Sequence, residues 1–186
     1  MNKFILNSIF VSILVTIFVS KPAHAVQDGE YRLGVLAGNL QLLGKQAKLG
    51  SGLAYGLNFG YMFSDDMLFN IDAVSGTVGK TFTQTQLDVG VSYYFAHHNT
   101  AYYNLSGGMA VVNNTLKLDA ESLKAGSSGF YLGLGLDFDL GSRFVAGFQI
   151  RHNALTQVKR NTEVGAVETV VVDSFTTTLL KLAFVF

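Results

Sequence analysis

Most of this chain alternates between large apolar side chains and small or polar ones, with the period of two that is typical of β-strands. The alternation is clear in some segments and weaker in others. The clear segments cover residues 52–63, 86–95, 103–111, 130–139, 144–151 and 179–186, and the weaker ones cover 31–40 and 67–74. The pattern therefore predicts about eight strands and an all-β fold.

The links between these segments are short and long in turn. Short polar links lie at residues 64–66, 96–100 and 140–143, and longer ones at about 41–51, 75–82, 113–128 and 153–170, with a helical turn allowed within 114–125. This alternation is typical of bacterial outer-membrane barrels. It predicts an eight-stranded antiparallel up-and-down transmembrane β-barrel with both chain ends on the short-turn, periplasmic side.

The first 25 residues are of a different kind. Lys3 precedes an apolar run over residues 4–19, and the triplet Ala23-His24-Ala25 follows that run. This order is typical of a secretory signal peptide, and the run is shorter than the about 20 residues that a spanning helix needs. We therefore expect cleavage after Ala25, with residues 26–186 forming a single barrel domain in the bacterial outer membrane.

Composition narrows the possible partners. Of the 186 residues, 49% are hydrophobic and only 14% are charged, whereas about 25% is usual for soluble domains. The 13 basic and 13 acidic residues balance without a basic cluster, so no nucleic-acid partner is expected. The chain has no cysteine, which excludes a disulfide framework and thiol chemistry. A lipid environment accounts best for this apolar chain.

The second face of the strands holds glycine, alanine, serine and asparagine with isolated charges. This face suits the narrow interior of an eight-stranded barrel, so the large apolar face is predicted to meet lipid. Because a buried charge needs a partner, these charges are predicted to pair across the barrel as a structural network. The network consists of Arg32, Asp72, Asp88, Asp137, Arg151 and Lys181, with Asp139 beside its turn as a further candidate.

Aromatic residues gather at the strand ends beside the short turns. Tyrosine is expected there because its ring is apolar while its hydroxyl group favours water. We predict a periplasmic-side aromatic girdle formed by Tyr61, Phe63, Tyr93, Phe95, Tyr103 and Phe186.

The C-terminal run of residues 180–186 has an apolar residue at every second position and ends on Phe. With the signal peptide, it resembles the small eight-stranded outer-membrane barrels, the group of the OmpA membrane domain, OmpX and OmpW. The resemblance implies that outer-membrane lipid surrounds the chain. It also implies that the barrel-assembly machinery recognises an assembly signal made of Leu180, Leu182, Phe184 and Phe186.

Catalytic chemistry finds little support in the sequence. Outer-membrane lipid A deacylases use a His with a Ser two residues later, whereas His152 is followed by Asn153 and Ala154. The adjacent His97 and His98 point apart on an extended chain and make a poor metal pair. We therefore expect a protein that is not an enzyme and that needs no cofactor or metal.

Several alternatives stay open at this point. The favoured function is a structural or surface-interaction role through the outer loops, with an external ligand that the sequence does not identify. A narrow channel for small solutes is the alternative, and a lipid-modifying outer-membrane hydrolase is less favoured. For the fold, the alternative is a soluble exported β-sandwich.

Overall fold

The computed structural model describes residues 28–98, 100–118, 121–141, 143–160 and 172–186, so the predicted signal peptide lies outside the described residues. The described chain is almost entirely β-strand. The strands are β1 (Tyr31–Leu42), β2 (Ser51–Ser64), β3 (Met67–Val78), β4 (Phe82–His98), β5 (Ala101–Leu118), β6 (Glu121–Asp139), β7 (Phe144–Arg160) and β8 (Ser174–Val185). A short 3-10 helix over Gly44–Leu49 connects β1 to β2.

Each strand pairs antiparallel with the next, and β8 pairs with β1 to close the barrel. The predicted eight-stranded up-and-down barrel is therefore confirmed, and the β-sandwich alternative is wrong. The described residues include no helix with the length and hydrophobicity that a membrane crossing requires.

The register of the barrel sets the tilt of its strands. When paired residues are followed once around the barrel from Arg32, the path returns to β1 at Leu42, ten residues further along. For eight strands, this stagger corresponds to a tilt of about 40° from the barrel axis. Because the strands tilt, the residue at the same height on the next strand lies about one position away from the paired residue.

The two ends of the barrel differ in their connections. We call the end that holds Tyr31, Phe186 and the links after β2, β4 and β6 the turn end. The opposite end, with the links after β1, β3, β5 and β7, is the loop end.

At the loop end the strands are longer than the sequence indicated. The predicted loop over residues 113–128 is wrong, because β5 and β6 stay paired there, with Thr115 opposite Lys124. The same pairing excludes a helical turn within 114–125. The predicted loop over 75–82 shrinks to a tight turn at Gly79, whose φ of 61° suits glycine. Of the predicted loop over 153–170, residues 153–160 belong to β7, and 161–170 lie outside the described residues.

Large apolar side chains cover the outer wall. Leu53, Leu132 and Leu180 are 72%, 68% and 61% exposed. Exposure of so much apolar surface is unfavourable in water but not in hydrocarbon. On β5 these outward residues run from Tyr103 to Val111, which is about 20 Å along the barrel axis at this tilt. An apolar band of this height is close to the about 25 Å of membrane-spanning barrels.

The seam where β8 meets β1 is reinforced at the turn end. Tyr31 and Phe186 exchange two backbone hydrogen bonds of 3.0 Å. The Tyr31 ring lies 5.9 Å from the ring of Phe186, 4.9 Å from that of Tyr61 and 6.1 Å from that of Phe59. Since these rings belong to β1, β2 and the C-terminal end, Tyr31 links both sides of the closing seam.

We predict that Tyr31→Ala lowers the free energy of unfolding by about 2 kcal/mol more than Tyr55→Ala does. Aromatic pairs contribute about 0.5–1.5 kcal/mol each beyond their buried area, and Tyr31 makes three. Tyr55 is a matched control because it is also an outward tyrosine, 59% exposed against 43%. The free energy of unfolding of both variants is measured by urea titration in lipid vesicles, and the folded fraction at each urea concentration is determined from the heat-dependent gel shift of folded barrels. Equal losses would contradict the role of the seam.

Candidate functional sites in the interior and at the two ends

One cluster of charges lies at mid-height in the barrel interior. Arg151 forms salt bridges with Asp72 and, at 3.0 Å between Nη1 and Oδ2, with Asp88. Its guanidinium carbon stands 5.1 Å from the centre of the Tyr131 ring, and Asn58 donates a further hydrogen bond to Asp72. The three charged residues are at most 2% exposed. We call Arg151, Asp72 and Asp88 the Arg151 cluster.

A second cluster lies nearer the turn end and centres on Asp137. Its Oδ2 accepts hydrogen bonds from Lys181 Nζ at 2.8 Å and from the Tyr94 hydroxyl at 2.7 Å. Arg32 Nη1 lies 3.5 Å from the same oxygen and donates to the Tyr94 hydroxyl at 2.9 Å. Four strands thus converge on one carboxylate, which we call the Asp137 cluster.

The structure places the six predicted interior charges inside the barrel and divides them between these two clusters. The Arg151 cluster has one cation and two carboxylates, and the Asp137 cluster has two cations and one carboxylate, so their formal charges cancel. Asp139 is also buried, and its Oδ1 accepts a hydrogen bond from the Gly141 backbone at 2.7 Å. Asp139 therefore stabilises its turn.

A small cavity of about 10 Å³ lies between the clusters, lined by Arg151 of one and by Asp137 and Lys181 of the other. A single water molecule needs about this volume. Between the two clusters, side chains therefore fill the interior to within about the volume of one water molecule.

Towards the loop end the interior becomes apolar, which the sequence analysis missed. Leu36, Leu40 and Leu42 continue the inward row that begins with Arg32 on β1, and Phe175 and Leu179 face them from β8. The layer consists of Leu36, Leu40, Leu42, Ala54, Val74, Val78, Phe82, Ala110, Val112, Val172, Phe175 and Leu179. We call this set the apolar layer. Its signal in the sequence was the row of large apolar residues on the inward positions of β1 and β8.

The aromatic residues predicted as a girdle lie on the outer wall at the turn end. Phe95 and Tyr103 lie side by side, with ring centres 6.5 Å apart. The rings of Tyr31, Phe144 and Phe184 extend the predicted girdle, and each of these residues lies within two residues of a strand end. Phe184 lies 5.4 Å from Phe144 and 6.3 Å from Phe186, so the rings extend across β7, β8 and the seam.

Residues 11–175 match the model of the family described as the outer membrane protein beta-barrel domain. The chain belongs to this family. Its apolar outer wall and its family place this outer membrane barrel in the bacterial outer membrane, surrounded by lipid. No curated protein matches the chain.

Solved structures of three bacterial proteins share the fold of this outer membrane barrel. The N-terminal barrel of Pseudomonas aeruginosa OprF is 14% identical, with a TM-score of 0.63 over 86% of this chain and 98% of that one. Neisserial surface protein A is 16% identical, with a TM-score of 0.64 over 84% and 97%. The attachment invasion locus protein Ail of Yersinia pestis is 13% identical, with a TM-score of 0.57 over 86% and 100%.

The C-terminal run of this outer membrane barrel lies on the strand that closes it. Leu180, Leu182, Phe184 and Phe186 all point outwards and are 39–61% exposed. This places a continuous apolar stripe on the strand that pairs with β1. The assembly role stays a prediction.

We predict that Arg151→Met lowers the free energy of unfolding by about 3–5 kcal/mol, because it leaves Asp72 and Asp88 buried without their cation. Adding Asp72→Asn and Asp88→Asn to Arg151→Met should recover most of this loss, since no unpaired charge remains. Urea titration in vesicles, followed by the gel shift, measures all variants.

The matched control is Arg143→Met, which removes an exposed arginine at the turn end and should change stability by less than about 0.5 kcal/mol. A triple variant no more stable than Arg151→Met alone would show that the arginine acts by packing rather than by charge pairing.

Proposed function

We propose that this outer membrane barrel is a non-enzymatic surface-interaction protein that presents its loop end outside the cell. One observation carries the proposal: the strands continue well beyond the apolar band at the loop end. On β5 the last large apolar outward residue is Val111, yet the strand runs to Leu118, and β6 begins at Glu121, nine residues before Phe130. We call residues 113–128 the β5–β6 extension.

The orientation follows from the links and from the family. Short turns face the periplasm and longer connections face outwards in bacterial outer-membrane barrels. The two longest links, over residues 43–50 and 161–173, connect strands at the loop end, whereas the turn end carries the start of β1 and the end of β8. The β5–β6 extension therefore belongs outside the cell. A rigid paired sheet presents side chains at fixed spacing, which suits a binding surface better than a flexible loop.

The structural neighbours support a surface role by analogy. One is named a surface protein and another an attachment invasion protein. Ail has also been crystallised with sucrose octasulfate, a heparin analogue. The sequence identities are low, so the analogy supports a class of function and no particular ligand.

A hydrolytic function is disfavoured by the surroundings of His152. Its Nδ1 lies 3.4 Å from the Thr176 hydroxyl on the outer wall. A nucleophile activated by His needs a third group that orients the ring. Within the described residues, no carboxylate forms an ion pair with His152.

A narrow channel is the second candidate, supported by a polar path beside the apolar layer. Gln84, Gln86, Asn114 and Asn153 are at most 5% exposed inside the barrel, and each has a side-chain atom without a partner among the described residues. Buried polar atoms of this kind are commonly satisfied by water. The path would connect the loop end with the Arg151 cluster.

To test the surface role, residues 114–125 can be replaced by an Asn-Gly turn between the paired residues Asn113 and Gly126. We expect the shortened barrel to fold with an unchanged gel shift, because the apolar band and both ion clusters stay intact. Adhesion of expressing cells to host and neighbouring cells should fall to the level of non-expressing cells. Arg143→Gln at the turn end is the control, and unchanged adhesion of the trimmed barrel would sink the proposal.

To test the channel, purified refolded protein is examined in planar bilayers. We expect no reproducible conductance from the natural chain, because the apolar layer excludes hydrated ions. The double variant Phe82→Ala/Phe175→Ala removes two rings that are at most 1% exposed in that layer, and it should conduct. Regular channel events from the natural chain would favour the channel over the closed barrel.

A further inference from the structure

Lysines occur at the loop end in the turn before β4 and on the three strands that follow it. Lys80 lies in the turn before β4, Lys117 on β5, Lys124 on β6 and Lys159 on β7. The side chains of Lys80, Lys117 and Lys124 are exposed. We call these four positions the lysine tier.

The pairing of the strands brings these positions together. The Lys117 amide donates to the Thr81 carbonyl at 2.8 Å, next to Lys80. Lys124 is opposite Thr115, two residues from Lys117, which makes the two lysines diagonal cross-strand neighbours about 7–8 Å apart at Cα.

The tier continues onto the next strand at the same level. Lys159 is opposite Gly126, two residues from Lys124. Because the strand tilt displaces level positions by about one residue per strand, the lysines lie at nearly the same height around the barrel.

The lysines of the tier lie on the outward face of the barrel wall, above the level of the membrane. Lys117 alternates with the inward residues of β5 and shares its face with Val111, and Lys124 shares its face with Phe130. The same outer wall that meets lipid lower down therefore carries these lysines above the lipid. A partner in the surrounding membrane reaches them more directly than a partner approaching along the barrel axis.

The height of the lysine tier above the apolar band determines which lipid headgroups can reach it. Lys117 is six residues beyond Val111, and Lys124 is six residues beyond Phe130 in the same direction. Six residues span about 20 Å of strand, or about 15 Å along the barrel axis. A phospholipid headgroup extends only about 5–7 Å beyond the hydrocarbon, so it ends below the tier.

The outer basic residues are concentrated at the loop end, where seven of them stand against the five acidic residues Asp119, Glu121, Glu163, Glu168 and Asp173. Eight lysines and arginines remain when Lys3 and Lys21 of the predicted signal peptide and the three interior cations are set aside. Seven of these eight lie between β1 and β2, beside β4, or on β5, β6 and β7 at the loop end. Arg143 is the exception, at the turn end.

We propose that the lysine tier binds the phosphate and carboxylate groups of an anionic saccharide headgroup on outer-leaflet glycolipids beside the barrel. The proposal deepens the surface role and rests on its orientation of the loop end towards the outside. Lysine supplies a flexible point charge for such groups, and several lysines at one height can engage one extended headgroup.

The test uses the refolded barrel in phosphatidylcholine nanodiscs that contain a small fraction of lipopolysaccharide with a phosphorylated core. Glycolipid retained per barrel is measured for the natural chain and for Lys80→Gln/Lys117→Gln/Lys124→Gln at physiological salt, where charges are screened beyond about 8 Å. Each lysine near an anionic surface is worth about a fivefold change in affinity, so the triple variant should bind about a hundredfold more weakly. The corresponding triple arginine variant keeps the charges and should keep binding.

Two further lipids separate the sources of negative charge. Phosphatidylglycerol, with its short headgroup, and lipid A without the core saccharide should each be retained equally by the natural chain and the triple glutamine variant. A lysine dependence as large with either lipid as with the full glycolipid would overturn the assignment to the core saccharide. Equal retention of the full glycolipid by both proteins would overturn the site altogether.

Controls keep this proposal distinct from the surface role. Arg143→Gln should leave retention unchanged, and an unchanged gel shift shows that the variants are folded. Labelling of Ser122→Cys on intact cells with a membrane-impermeant maleimide tests orientation, since the natural chain has no cysteine. If Ser122→Cys is labelled but retention does not depend on the lysines, the glycolipid site is overturned and the surface role stands. If Ser122→Cys is not labelled, the orientation on which both proposals depend is overturned.

Discussion

The structure depends on one constraint: in hydrocarbon, every backbone N–H and C=O group must find its partner within the protein. A sheet meets this constraint when its last strand pairs with its first, as β8 does with β1. Closure with a ten-residue stagger sets the strand tilt and leaves an interior only wide enough for side chains. The aromatic contacts of Tyr31 and Phe186 lie at the seam, where an open edge would be most costly.

The same closure makes buried charges tolerable. Asp137 is 105 residues from Arg32 along the chain, yet the barrel brings the two side chains together and adds Lys181 and Tyr94. One cluster has an excess cation and the other an excess carboxylate, so the two clusters together are formally neutral. Burying ions is expensive in itself, and the arrangement is better understood as selecting one register than as adding stability.

The sequence predicted the strands and the direction of their side chains, because both follow from local alternation. It did not predict the features that depend on closure of the barrel or on height above the lipid. Parity alone placed Arg32, Asp72 and Arg151 inside, but the choice of partners depends on the stagger around the whole barrel. The β5–β6 extension was taken for a loop because its outward positions, such as Thr115, Lys117 and Lys124, are polar above the lipid. The large apolar residues that mark the outer face lower down are therefore missing there, although the strand pairing continues. The apolar layer was missed because large residues on both faces, as at Leu179 and Leu180, hide which face is inside.

The two ends of the barrel carry different charges. Since the ion clusters cancel, most of the remaining charge lies at the rims. Asp28, Glu30, Asp65 and Asp66 lie at the turn end, and a small excess of basic residues, including the lysine tier, lies at the loop end. The β5–β6 extension stands above the apolar band and contributes little to closure. Its outer face can therefore change in sequence while the seam, the apolar layer and the clusters maintain the fold, as the proposed surface role requires. Separation of a folding core from a binding rim explains how one barrel architecture serves different surface roles.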